Sequence, residues 1–407
     1  MLNNDLRINK ERLLKRLNQM AQIGKTPKGG VCRLAGSKED AKARALLTEW
    51  ISELGWSLSF DEMGNMFMRM KSINPNHDPI LVGSHLDSQP TGGNYDGVLG
   101  VLAALEAMQS MQEAGIPISR PIELVNWTNE EGARFTPAML GSGFFAGVFD
   151  LDYAWSRTDD KGKTIKSELQ QIHWLGKQRK TPNYVATYEL HIEQGPILEA
   201  EDLQIGIVKG VQGIRWYEIT IYGTETHAGP SPMEMRDDPV QKLPALLEKI
   251  YDLCRAFGSD SRITVGKLHT LPGSQNTVPS ELKFSLDIRH PDEKTLQKMH
   301  FKLLSVVSES QKVSLSELWY SPPVAFAESC INAVQKAVNT LSYSHKHMVS
   351  GAGHDSVYVA KNHPTAMIFI PCKDGLSHNE AEYAKPEDIE AGANVLLQSL
   401  VYTLANH

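Results

Sequence analysis

Histidines and carboxylates recur in this chain at the ends of apolar runs, where a polar reaction centre can be built on a rigid base. Segment 83–88 reads Gly-Ser-His-Leu-Asp-Ser, and segment 92–97 reads Gly-Gly-Asn-Tyr-Asp-Gly, so His85 and Asp96 lie on either side of a glycine-rich loop. An imidazole nitrogen with a carboxylate oxygen is a common donor pair for first-row divalent metals. Asp87 is placed to hold the His85 ring through its second nitrogen. Segment 129–132, Asn-Glu-Glu-Gly, sets Glu130 and Glu131 side by side after another apolar run. Adjacent acids can divide labour, one ligating metal and one moving protons. The same pair also fits a solvated helix start, where the helix dipole favours Glu. His191 follows in Glu-Leu-His-Ile-Glu-Gln-Gly (189–195), and His378 in Lys-Asp-Gly-Leu-Ser-His-Asn-Glu (373–380). Singly, each suits a turn or a structural histidine. Jointly they are a set of metal-type donors, of which two imidazoles, one Asp and several Glu each follow a strand in the α/β part.

The elements that must carry them alternate. Helical spacing is seen at residues 9–23 and 38–54, closed by Gly24 and Gly55, and again in Val98, Val101, Leu102, Leu105 and Met108. Apolar runs at 79–85, 121–127 and 364–370 read as buried strands, and a terminal helix starts near Pro386. Alternating strands and helices predict an α/β layer with a mostly parallel central sheet flanked by helices. In open sheets of this kind, ligands bind beyond the carboxyl ends of the strands.

The middle of the chain follows another order. Residues 215–222 alternate as a strand, 238–257 read as a helix, 262–269 and 281–289 as strands, 292–308 as a helix and 312–318 as a strand. This β-α-β-β-α-β order is the ferredoxin-like pattern. It predicts an inserted domain at 213–320 within a catalytic domain formed by 1–212 and 321–407.

The bulk properties exclude several classes. The chain has 407 residues, 41% hydrophobic and 22% charged, with a formal net charge of −7, so it suits two globular domains and lacks a basic nucleic-acid footprint. Charges at Asp5, Arg7, Lys10, Glu11, Arg12, Lys15 and Arg16 leave no apolar core for a secretory signal, and no run approaches the ~20 apolar residues of a membrane span. The four cysteines, Cys32, Cys254, Cys330 and Cys372, form no CxxC pair and read as reduced thiols of a cytoplasmic protein.

Six motifs in order, GSHLDSQPTGGNYDG, NEEGARF, ELHIEQGPILE, THAGPSPM, SGAGHDS and DGLSHNE, resemble those of the amidase/hydantoinase/carbamoylase family. That family includes N-carbamoyl-L-amino-acid hydrolases, β-ureidopropionases and allantoate amidohydrolases, within the dinuclear zinc aminoacylase and carboxypeptidase superfamily. The resemblance implies two divalent metal ions, zinc foremost, with manganese, cobalt or nickel as substitutes. It implies that His85, Asp96 and His191 hold one ion and that Asp96 bridges to a second on Glu131 and His378. Glu130 would be the general base and acid, and Asp87 would support His85. Gln194, Asn276 and Arg289 would bind substrate, and Gly353 would offer backbone contacts. His227, in the inserted domain, would reach the partner subunit's site of a homodimer and stabilise an oxyanion.

The resemblance further implies hydrolysis of a small ureido acid, an N-carbamoyl-L-amino acid ahead of N-carbamoyl-β-alanine or allantoate. An aminoacylase or dipeptidase of the same fold is the neighbouring reading, and the histidine at 191, where the peptidase branches carry a carboxylate, argues against it. A metal-free scaffold would be expected to have lost a ligand or Glu130, and all are present.

Overall fold

The computed structural model describes residues 5–179 and 181–406. The chain divides into two compact units, one formed by Met1–Gly210 and Ala325–His407, the other by Val211–Val324.

The first unit is organised by four parallel strands in the order Ile122–Trp127, Ile80–His85, Ala186–Ile192, Thr365–Ile370. Every residue of all four is buried. That explains why they read as unbroken apolar runs: parallel strands covered on both faces have no polar side to alternate with. Antiparallel strands extend the sheet, Met66–Arg69 and then Ser57–Phe60 at one end, and Ile205–Val211 beside Thr365–Ile370 at the other. In register, His85 pairs with Trp127 and Phe369 with His191. Parallel direction therefore delivers the carboxyl ends of all four strands to one edge, and with them His85, His191 and the loops that hold Glu130, Glu131 and His378.

Helix Val98–Glu113 is buried along nearly its whole length, Val98 to Met111, rather than on a single face as its spacing suggested. The sheet covers one side: a side chain at Gly100 would meet the Leu190 carbonyl and Ser84. Helices Lys10–Met20 and Pro386–Asn406 pack against it as well. Ser37 caps helix Lys38–Glu53 by accepting from the Asp40 amide.

The second unit is a sheet in the order Leu268–Leu271, Glu281–His290, Gly213–Tyr222, Val313–Ser321, antiparallel throughout. The strand expected at 262–269 is in fact two, Arg262–Thr264 and Leu268–Leu271, both paired with Glu281–His290. Thr264 faces Asp287 and Leu268 faces Phe284, so three residues oppose two and the strand bulges. Helices Pro239–Ala256 and Glu293–Ser308 cover one face. Leu246, Ile250, Leu296, Met299 and Leu303 pack there against Ile219, Phe284 and Leu286 of the sheet. Strand Glu281–His290 alternates half-buried and buried at every residue, the period-2 pattern of a sheet with one face in a core.

No helix among the described residues is long and apolar enough to cross a membrane.

Candidate metal centre

His85 is the last residue of its strand and His191 the last but one of the neighbouring strand. Each ring is anchored at Nδ1 by a main-chain carbonyl, His85 on Asp87 O at 3.0 Å and His191 on Ile192 O at 2.9 Å. A carbonyl only accepts, so Nδ1 of each ring carries the proton and Nε2 presents a lone pair. Both lone pairs face the same carboxylate: His85 Nε2 lies 3.6 Å and His191 Nε2 3.2 Å from Asp96 Oδ1. The other oxygen, Asp96 Oδ2, lies 3.7 Å from His378 Nε2, which is 3.3 Å from Glu131 Oε2. The ligand atoms thus fall into two triads, His85–Asp96–His191 and Asp96–Glu131–His378, each within 4.8 Å, sharing only Asp96. Glu130 stands beside them with Oε2 at 3.5 Å from His85 Nε2.

Several groups hold this arrangement that the sequence did not reveal. Gly97, at φ 66°, stands so close to the His85 ring that an added methyl group would overlap it. Gly97→Ala should therefore displace His85 in addition to straining the backbone. Elemental analysis of the purified variant should show loss of the ion held by His85, and full occupancy would refute the packing argument. Gln89 donates to Glu131 Oε2 at 2.8 Å, and Ser377 donates to Asp96 Oδ2 at 2.7 Å.

Two expected roles differ in the structure. The Asp87 carboxylate is 3.9 Å from His85 Nδ1; the ring is held by the Asp87 main chain instead. Its two oxygens accept the amide N–H groups of Glu130 and Glu131, both at 3.2 Å, so Asp87 fixes the turn that aims both acids. Two amide donors suit a buried anion better than one shared imidazole proton. Gln194, expected to bind substrate, donates from Nε2 to Asp96 Oδ2 at 2.8 Å. Its buried Oε1 has no partner among the described residues and stays available to accept from a ligand.

The electrostatics favour a cation. Burial raises Glu130, with Asp355 and Glu131 adding to it, and raises Glu131, with Asp96 and Asp87 adding to it, both well above the usual carboxylate range. Asp87 is pushed up to about 7, by burial and then by Asp40. Burial lowers His85 to about 4, whereas for His191 the Asp96 and Glu189 carboxylates overcome burial and lift it to about 9. The His85 lone pair facing a carboxylate at 3.6 Å calls for a proton or a cation between them, and His191 Nε2, 3.2 Å from the same carboxylate, also accepts from the Gly97 amide at 3.2 Å. Imidazole and carboxylate donors in this number suit divalent first-row metals, whose charge would also reverse the repulsion among the acids.

A third group, Glu189–His191–His354, lies beneath the centre. Glu189 accepts from Ser84 at 2.7 Å and Ser356 at 2.6 Å, and His354 packs edge-on against His191. We read it as support for His191, whose Nε2 already faces Asp96. Gly353 lies on the loop next to it, against the side chain of Met139, whose amide donates to Glu130 O.

The remaining expected residues lie in the second unit. His227 and Asn276, both exposed, are neighbours at a two-stranded ribbon, Thr226–His227 paired with Thr277–Val278, closed by the Ala228 amide on Asn276 O at 2.9 Å. The Gly229 amide donates to His227 Nδ1 at 3.0 Å, so the neutral ring carries its proton on Nε2 and is a hydrogen-bond donor there. Arg289 is engaged by Asp287, its neighbour on the same face of the strand, through Nε and Nη2, both at 2.9 Å.

Known proteins share this arrangement of chain. The pattern of peptidase family M20/M25/M40, a metal-dependent family, matches residues 81–401. An N-carbamoyl-L-amino-acid amidohydrolase of Rhizobium meliloti is 42% identical over 98% of this chain and 97% of its own length. An allantoate amidohydrolase of Bacillus subtilis is 31% identical over 95% of each. The crystal structure of an amidase of the hydantoinase/carbamoylase family from Burkholderia multivorans superposes with a TM-score of 0.93 at 46% identity, covering 98% of both chains. With the parallel sheet, the donor set at its carboxyl edge and likeness over almost its full length, the chain belongs to peptidase family M20/M25/M40 and, within it, to the hydantoinase/carbamoylase amidases.

Proposed function

We propose that this chain is an amidohydrolase cleaving the ureido C–N bond of N-carbamoyl-L-amino acids, with release of ammonia, carbon dioxide and the amino acid. The observation that carries it is the pair of triads sharing Asp96, with one carboxylate, Glu130, left over beside them. The substrate class rests on the likeness to the Rhizobium meliloti enzyme. Likeness to an allantoate amidohydrolase makes allantoate the second reading.

The donor set fits two divalent ions, zinc foremost, one on His85, Asp96 and His191 and one on Asp96, Glu131 and His378. Such ions supply Lewis acidity and bring the pKa of water toward neutrality. Glu130, buried among other acids and therefore strongly basic, takes a proton from the attacking water and delivers it to the leaving nitrogen. Asp87 keeps that carboxylate aimed by holding its turn. His227, fixed as an Nε2–H donor by the Gly229 amide, is suited to stabilise an oxyanion. We place it in the partner subunit's site of a homodimer formed through the inserted domain. Asn276, Arg289 and the open Oε1 of Gln194 are the polar groups assigned to the substrate, and Gly353 offers it main-chain contacts.

Ammonia release by protein reconstituted with Zn²⁺ or Mn²⁺ tests this. The panel is N-carbamoyl-L-amino acids, N-carbamoyl-β-alanine, allantoate and N-acetyl amino acids. Fastest turnover is expected on an N-carbamoyl-L-amino acid. Preference for allantoate would move the assignment to the second reading, and amino-acid release from N-acetyl substrates alone would overturn both.

A further inference from the structure

The two triads meet at one carboxylate, and that carboxylate must present its oxygens in a fixed direction if each is to serve a different ion. The Asp96 backbone lies in the glycine-rich loop 92–97, where Gly92 bridges Val31 and the Tyr95 and Asp96 carbonyls accept from the Leu99 and Val98 amides, but the Tyr95 and Asp96 amides have no main-chain partner among the described residues. What they do have is Glu382, 286 residues from Asp96 in sequence and almost fully buried. Glu382 Oε1 accepts the amide N–H groups of Tyr95 at 2.8 Å and Asp96 at 3.0 Å. Glu382 Oε2 lies 3.3 Å from Ser377 Oγ, the hydroxyl that donates to Asp96 Oδ2. Its own amide donates to Asn379 O at 3.0 Å, which seats it on the loop that bears His378. Gly93 leaves the space its carboxylate occupies: a side chain at 93 would overlap it.

We propose that Glu382 is a positioning residue that sets Asp96 against both triads, tying the loop of the shared carboxylate to the loop of His378. This rests on the metal reading above. Among the described residues Glu382 makes no hydrogen bond to a side chain of the first triad; its hydrogen bond there is to the Asp96 amide. On the second triad it acts on both partners, through the Asp96 amide and through the turn that follows His378. A carboxylate is the fitting group because one oxygen can accept two converging amide N–H groups. It also sits just before helix Val98–Glu113, where the helix dipole favours negative charge. Glu380, two residues earlier, turns away to Thr26 Oγ1, so the neighbouring acid cannot substitute.

The test compares the full chain with Glu382→Ala and Glu382→Gln. It measures Zn²⁺ affinity by competition with a chromogenic chelator, thermal unfolding of the metal-free proteins, and kcat and KM on the substrate the panel identifies. Glu382→Ala should weaken Zn²⁺ binding by about 10- to 100-fold, the usual cost of losing a group that supports a ligand. It should lower kcat with little change in KM. Glu382→Gln keeps an oxygen for the two amides and should recover most of the affinity. If Glu382→Ala does not fold, Glu382→Gln and Gly93→Ala decide: Zn²⁺ affinity must stay near wild type in the first and fall in the second. Unchanged Zn²⁺ affinity in Glu382→Ala, or no rescue by Glu382→Gln, would overturn the role of Glu382 while leaving the metal reading intact. Wild-type protein that takes up no Zn²⁺ would overturn the metal reading itself, and this inference with it.

Discussion

Glu130→Gln should lose about 10²- to 10⁴-fold in kcat, the range that a positioned general base supplies, while keeping its metal content and melting temperature. The reason is a separation of duties within one residue. The backbone of Glu130 is structural: its amide donates to Asp87 Oδ1 and its carbonyl accepts from Met139. Gln preserves both. The side chain belongs to neither triad, and the carboxylate is buried against Asp355, Glu131 and Asp87, whose charges make it hold a proton more tightly. On the proposed reading this carboxylate is the base, and an amide of the same shape cannot take a proton. Single-turnover kinetics alongside elemental analysis would check it. Normal turnover in Glu130→Gln would assign the proton transfer to another group.

Asp96→Asn should abolish binding at both ions together, whereas His378→Ala should empty only the second. Asp96 is the one residue common to the two triads, with Oδ1 toward the histidines and Oδ2 toward His378. On the two-ion reading, removing its charge would take a ligand from each ion, so the fall in affinity should exceed the about 10- to 100-fold that loss of a supporting residue costs. The amide can keep the hydrogen bonds from Gln194 and Ser377, and the metal-free fold should survive. The rise in melting temperature expected when Zn²⁺ is added to the wild type, through preferential binding to the folded state, should be absent from this variant. Measured stoichiometry decides the matter. One ion retained per chain in Asp96→Asn would mean that the triads do not share this carboxylate.

Much of this centre was legible in the sequence because its donors sit at the ends of buried parallel strands. Such strands read as continuous apolar runs, 79–85, 121–127 and 364–370, and the polar residues that follow them stand out by contrast. The order of elements in the middle segment was legible for a similar reason: strand 281–290 alternates at every residue because one face is packed and the other open. The bulge that splits 262–271 left no comparable mark, since it depends on how Ser285 and its neighbours meet the partner strand.

What the sequence by itself determined was the inventory: which donors exist and that they cluster at or after the ends of apolar runs, with the roles of His191, Asp96 and Glu130 given only as what the family resemblance implies. The tertiary structure decided how they are used. It moved Asp87 from the His85 ring to the amides of Glu130 and Glu131, put the Gln194 amide on Asp96, engaged Arg289 with Asp287, and brought Glu382 across 286 residues to the Asp96 backbone. A carboxylate or amide binds whatever complementary group the folded chain brings within about 3 Å in good geometry. That proximity is set by the pairing and packing of elements distant in sequence, which no local pattern of residues encodes.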